Sequence, residues 1–156
     1  MFTPLVSTPT VPLRFVGGLV GAVVATLAMD AVMPRLAEGE TPPFVAAGVL
    51  TERPPDEAPA RLASVVHYVA GGLTGPLFVW LLLLVEGLSG GPSLVATATA
   101  GVVLYALMVG FFAVVVLPRS LVDASRVGAI RRDWAVDAAV YVVVLVPVVA
   151  AASGVV

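Results

Sequence analysis

A chain of 156 residues with 60% hydrophobic and only 12% charged side chains lacks the polar surface of a water-soluble domain, in which about 25% of residues are charged. Its surplus apolar surface calls for lipid as the solvent. The absence of cysteine excludes disulfides, thiolate zinc sites and thiol chemistry, and the net charge of −2 matters less than where the charges stand.

The first apolar stretch, residues 15–34, is interrupted by Thr26 and Asp30. It supplies the roughly 20 helical residues that cross a hydrocarbon core. This length, with thirteen neutral residues ahead of Arg14, reads as a retained span and not a cleaved leader. Residues 35–62 are a long connection broken by Pro42-Pro43, Pro54-Pro55 and Pro59. Within it, Thr41 and two prolines ahead of residues 44–50 predict a short helix lying on the membrane.

A second span covers 63–85, with Ser64, His67, Tyr68 and Thr74 as its polar members. The Gly-, Ser- and Pro-rich turn 86–93 is short enough to make the second and third spans antiparallel neighbours. The third span covers 94–117. Residues 119–133 mix Leu121, Val122, Val127 and Ile130 with four arginines, the pattern of another interfacial helix. The fourth span covers 134–156. Without water at that depth the backbone must satisfy itself within each segment, so all four are helices. The predicted fold is all-α, a four-helix transmembrane bundle forming one integral membrane domain over residues 1–156, multi-pass in the plasma membrane.

All cationic residues are arginine, and seven of the eight (Arg35, Arg53, Arg61, Arg119, Arg126, Arg131 and Arg132) lie in the first and third loops. Positively charged loops are retained in the cytoplasm. Both termini are therefore expected outside and the long first and third loops inside.

Ionisable groups within spans are costly, which singles out Asp30, His67 and Asp137. In this orientation all three lie about 4–6 Å inside the cytoplasmic boundary at 1.5 Å per residue. Gly18, Ala22, Thr26 and Asp30 recur every four residues, as do His67, Gly71 and Gly75. Small-residue stripes of this kind let helix backbones approach closely in lipid, and two facing stripes would bring Asp30 to His67. Gly17 and Gly21 offer a second face of the same kind. The negative end of the helix dipole disfavours a carboxylate at Asp30, so it is either protonated or compensated by a cation, for which His67, Arg61 and Arg132 are the candidates. Asp137, early in its helix, sits where the dipole favours an anion. The cluster reads either as a structural tie or as a station for protons or ions. One histidine and two carboxylates without motif spacing do not make a metal site. Tyr105 and Tyr141 are expected to hydrogen-bond neighbouring helices. No phosphate loop or nucleic-acid-binding basic run is present.

The first-span pattern Gly18-x-x-Gly21-x-x-x-Ala25-Thr26-x-x-Met29-x-x-x-Met33, the Pro-Pro loop, His67-Tyr68 followed by Gly71, Gly72 and Gly75, and Gly101 ahead of Tyr105 resemble the YagU-like group of small four-helix inner-membrane proteins. The resemblance covers most of the chain from Gly18 to Tyr141. It implies a four-helix membrane protein without an assigned catalytic activity. Where members of that group often carry a histidine early in the last helix, this chain has Asp137. The functional expectation is a non-enzymatic structural or accessory component, without cofactor, acting through helix packing as a homo-oligomer or in a larger membrane complex. The alternative is a small proton or ion transporter using Asp30, His67 and Asp137.

Overall fold

The computed structural model describes residues 10–154, which are helical and contain no strand. Five α-helices follow in order: α1 (Val11–Val32), α2 (Thr41–Thr51), α3 (Ala60–Ser89), α4 (Leu94–Phe111) and α5 (Val127–Ala152). With their flanking turns, α1, α3, α4 and α5 are each long and apolar enough to cross a membrane, whereas α2 is a shorter apolar helix. The chain thus has the make-up of a multi-pass membrane protein. The last two positions of the predicted fourth span, 155 and 156, lie outside the described residues.

Local chemistry sets the helix ends. Pro12 and the pair Pro42-Pro43 stand in the first turns of α1 and α2, where a missing N–H costs nothing. Helix α3 stops at Gly90, whose φ of 92° lets the N–H groups of Gly90 and Gly91 both reach the Glu86 carbonyl, as in a Schellman-type cap. Ser93 then opens α4, its Oγ accepting from the Ala96 N–H at 3.1 Å. Helix α4 loosens into a π-turn over Phe112–Val116 and a 3-10 turn over Leu117–Arg119.

Helix α1 packs on α3 and α5, and α4 packs on the same two. The four spans therefore close a ring in which every neighbouring pair is antiparallel, an up-down-up-down bundle. Its interior is built from Ala22, Ala25, Phe78, Leu82, Leu104 and Leu145. At the loop end, where α1 leads to α2 and α4 leads to α5, a smaller core joins Val45 of α2 to Phe112, Leu117 and Ile130. At the terminal end α1 begins, α3 turns into α4, and α5 stops.

Two sequence expectations change. Helix α3 runs beyond 63–85 at both ends, so Glu86 is helical and not part of the turn. The interfacial helix expected within 119–133 is absent: residues 120–126 hold no helix, and 127–133 are the first turns of α5 itself. The physical reason is Ile130, which is fully buried against α2 and the end of α4. Its apolar side chain faces protein instead of the membrane surface.

Candidate functional site

The two small-residue stripes face each other across the α1–α3 contact. A Cβ added to Gly75 would clash with the Gly18 carbonyl oxygen, and one on Gly71 would lie 2.5 Å from Thr26 Oγ1. The Thr26 hydroxyl is itself turned back to donate to the Ala22 carbonyl at 2.8 Å. Gly17 and Gly21 point the other way, toward Ala152 and Leu145 of α5. Both small faces of α1 are therefore used within this one chain.

One turn beyond Thr26, this close seam brings Asp30 against α3. Asp30 Oδ1 lies 2.6 Å from His67 Nε2, and Oδ2 accepts from the Tyr68 hydroxyl at 3.0 Å. The His67 side chain is 11% exposed and that of Asp30 27%, so the pair sits at the edge of the bundle's interior. With Asp30 ionised, the short contact places a hydrogen on Nε2. Neither Arg61 nor Arg132 takes part, and the Arg132 Nε donates instead to Asp133 Oδ1 at 2.8 Å. Asp137 does not join the pair. It is completely buried, and neither of its oxygens has a hydrogen-bond partner among the described residues. Tyr68, absent from the sequence-derived set, is the third member; the close approach of α1 to α3 puts it within reach of the same carboxylate. Among the described residues no group of three potential ligands could hold a metal ion.

His67 also borders two hollows. One is a cleft of about 280 Å³ at the loop end, lined by Asp30, Glu40, Phe44, Ser64 and Tyr68. The other is a cavity of about 630 Å³, whose lining includes Leu77, Leu107, Trp134 and Tyr141.

Further ties join the spans. Arg14 of α1 and Glu86 of α3 form a two-pronged ion pair, both contacts at 2.7 Å, with side chains only 8% and 7% exposed. Each is the charge nearest the terminal end of its apolar segment, and pairing opposite charges by end would have found them. The Tyr141 hydroxyl donates to the Gly71 carbonyl at 2.6 Å, Tyr105 to the Ala135 carbonyl at 3.3 Å, and the Trp134 indole to the Met108 carbonyl at 3.1 Å.

The loop end is locked separately. Arg126 meets both oxygens of Glu38, at 2.8 and 2.9 Å, and reaches Asp56. Asp133 accepts from the Glu38 backbone N–H at 2.7 Å. Hydrogen bonding to Arg126 holds the Glu38 carboxyl below its ordinary 4.5, outweighing the upward push of burial. A carboxyl depressed in the folded state stabilises it above the unfolded value and loses that contribution as pH falls through the folded one. Amide protection across residues 36–58, corrected for the intrinsic pH dependence of exchange, is therefore expected to fall as pH drops below about 4.5, and Glu38→Gln is expected to weaken that dependence.

Comparison with protein-family models, with curated proteins and with solved structures gave no match in any of the three.

Proposed function

We propose that this chain is a non-enzymatic accessory component of the plasma membrane that works through helix packing, with both termini outside and the loop end in the cytoplasm. The reading rests on where the polar side chains of the spans go. Arg14–Glu86 and Asp30–His67–Tyr68 join α1 to α3, Tyr141 joins α5 to α3, and Tyr105 and Trp134 join α4 to α5. Groups so placed act as interhelical glue in lipid. A partner helix has a seam to meet on the outward face of α1, where Leu13, Val16, Val20, Val23 and Leu27 are each at least half exposed. Their alternating three- and four-residue spacing is that of a coiled-coil contact.

The orientation follows from the arginines. Seven stand at the loop end, and Arg14 at the other end is neutralised by Glu86. That asymmetry favours a cytoplasmic loop end. Of the residues that carry the resemblance to the YagU-like group, Gly18, Thr26, His67, Gly71 and Gly75 belong to the α1–α3 seam, which gives the proposed kinship a packing rationale.

Extraction from native membranes in mild detergent is expected to yield a complex larger than the monomer, reduced by Val20→Trp. A strictly monomeric protein without a co-purifying partner would remove the reading. In this cysteine-free chain, Ser89→Cys is expected to react with an impermeant thiol reagent applied to intact cells and Ser125→Cys to be protected; the reverse pattern would invert the topology.

Asp137 favours a second reading, a small proton or ion transporter. A buried carboxyl with both oxygens unpartnered is expensive to keep and is rare in a membrane span without a role. On this reading, flux into proteoliposomes collapses in Asp30→Asn, His67→Ala and Asp137→Asn. Flux unchanged by all three substitutions would exclude it.

A further inference from the structure

The 630 Å³ cavity is walled chiefly by α3 and α4, with contributions from α1, α2 and α5, and falls inside the range of about 300–1,000 Å³ usual for ligand sites. Its walls are mostly apolar, with His67 as the ionisable lining residue. The lining hydroxyls are already used: Thr74 donates to Ala70 and Tyr141 to Gly71, both backbone carbonyls, at 2.7 and 2.6 Å, and Thr26 to Ala22. Water needs two to four free polar partners to occupy such a space, and an apolar chain needs none.

Both walls are also irregular where the cavity runs. Pro76 interrupts α3 between the lining residues Thr74 and Leu77, and the π-turn of α4 carries the lining residues Phe112 and Val116. Pro76 removes one N–H from the α3 ladder, and the π-turn shifts the ladder of α4 by one residue.

Charge identifies the occupant's other end. Arg61 stands in the first turn of α3 and Arg119 ends the 3-10 turn that follows α4, so the antiparallel pair places both at the loop end. Both are exposed, and neither forms an ion pair among the described residues. Arg119 instead holds the carbonyl of Val115, in the π-turn, at 2.6 Å. Unpaired guanidinium groups at a membrane surface attract anionic headgroups and match phosphate geometry.

We propose that this cavity receives one acyl chain of an anionic phospholipid from the bilayer, with the phosphate held at the loop end by Arg61 and Arg119. The chain contains two tryptophans, of which Trp134 lines the cavity and Trp80 is exposed on the outer surface of α3. In Trp80→Phe, Trp134 is the sole emitter. Reconstituted in phosphatidylcholine vesicles, this variant is expected to be quenched more strongly by brominated-chain phosphatidylglycerol than by brominated-chain phosphatidylcholine at equal mole fraction. The reverse variant, Trp134→Phe, reports the surrounding lipid through Trp80 and is expected to show no such difference. Filling the cavity with Ala70→Phe, or with Leu107→Phe should the first variant not fold, is expected to abolish the excess quenching. Arg61→Gln and Arg119→Gln are each expected to weaken the preference about fivefold. Equal quenching of Trp134 by the two lipids, or excess quenching that survives the filled cavity, would overturn the proposal. So would efficient disulfide dimerisation of Leu107→Cys, which would place a second copy there.

Discussion

Gly75→Val is expected to be among the most damaging single substitutions in the membrane-spanning region. The obstacle to its side chain is the backbone carbonyl of Gly18, with the Ala22 methyl 2.6 Å away, and a backbone cannot turn aside as a flexible side chain can. Overpacking a close-packed contact costs about 1–3 kcal/mol and occasionally more, and here α1 and α3 must separate along the whole seam. The separation would also pull Asp30 from His67, which lies two turns from Gly75 on the same stripe. Unfolding in mild detergent, followed by helicity and by size-exclusion profile, measures the loss. The control is Gly72→Ala, one position off the seam, where an added Cβ meets nothing within 4 Å. There the gain in helix propensity makes a neutral to slightly stabilising effect, up to about 1 kcal/mol, the expected result. Similar losses in both variants would mean that the seam does not hold the bundle together.

The second large effect is expected at the terminal end. Glu86→Ala leaves the Arg14 guanidinium buried without this anionic partner, and removing one member of a buried pair costs about 3–5 kcal/mol. Arg14→Lys is also expected to be destabilising, because an ammonium cannot reproduce the paired contacts to both carboxylate oxygens. The informative variant is the double substitution Arg14→Met with Glu86→Leu. Replacing both charges by apolar groups of similar volume is often neutral or stabilising, so most of the loss is expected to return. If the double variant were as unstable as Glu86→Ala, the effect would belong to local packing around residue 86 and not to the ion pair. Thermal denaturation of the four proteins in one detergent gives the comparison.

How far the arrangement could be read from residues alone differs from element to element. The spacing of Gly18, Ala22 and Thr26 against Gly71 and Gly75 defines two stripes, but spacing cannot say whether they meet within one chain or between two. The structure has them meet within one, since the carbonyl of Gly18 occupies the space above Gly75. Asp30 and His67 follow from that register. Tyr68 does not, because a residue one position along a helix points about 100° away, and only the actual approach of α1 shows that it reaches Asp30. Asp137 shares a predicted depth with the other two, but depth leaves rotation about the helix axis open. Rotation is set by packing: α5 turns Tyr141 toward Gly71, and Asp137, one turn earlier, is enclosed without reaching the pair.

The loop end carries the same lesson. Leu121, Val122, Val127 and Ile130 among arginines read equally as a helix on the membrane surface or as the root of a span. Burial of Ile130 against Val45 and Phe112 decides for the second, and that requires α2 to fold back beneath the bundle. Gly48 permits the fold-back at the end of α2, where a Cβ would stand 2.6 Å from the Arg53 carbonyl oxygen.

Composition and run length by themselves determined that the chain is helical and that four segments are fit to cross a membrane, because in lipid each backbone must satisfy its own hydrogen bonds and only an apolar helix of sufficient length does so. Which faces meet, which charges pair and where a cavity is left open were decided by the tertiary structure alone. Nearly every side chain in these spans is apolar, so hydropathy cannot tell a lipid-facing position from a buried one; shape, close approach and a few polar contacts make that distinction, and they exist only once the helices are packed.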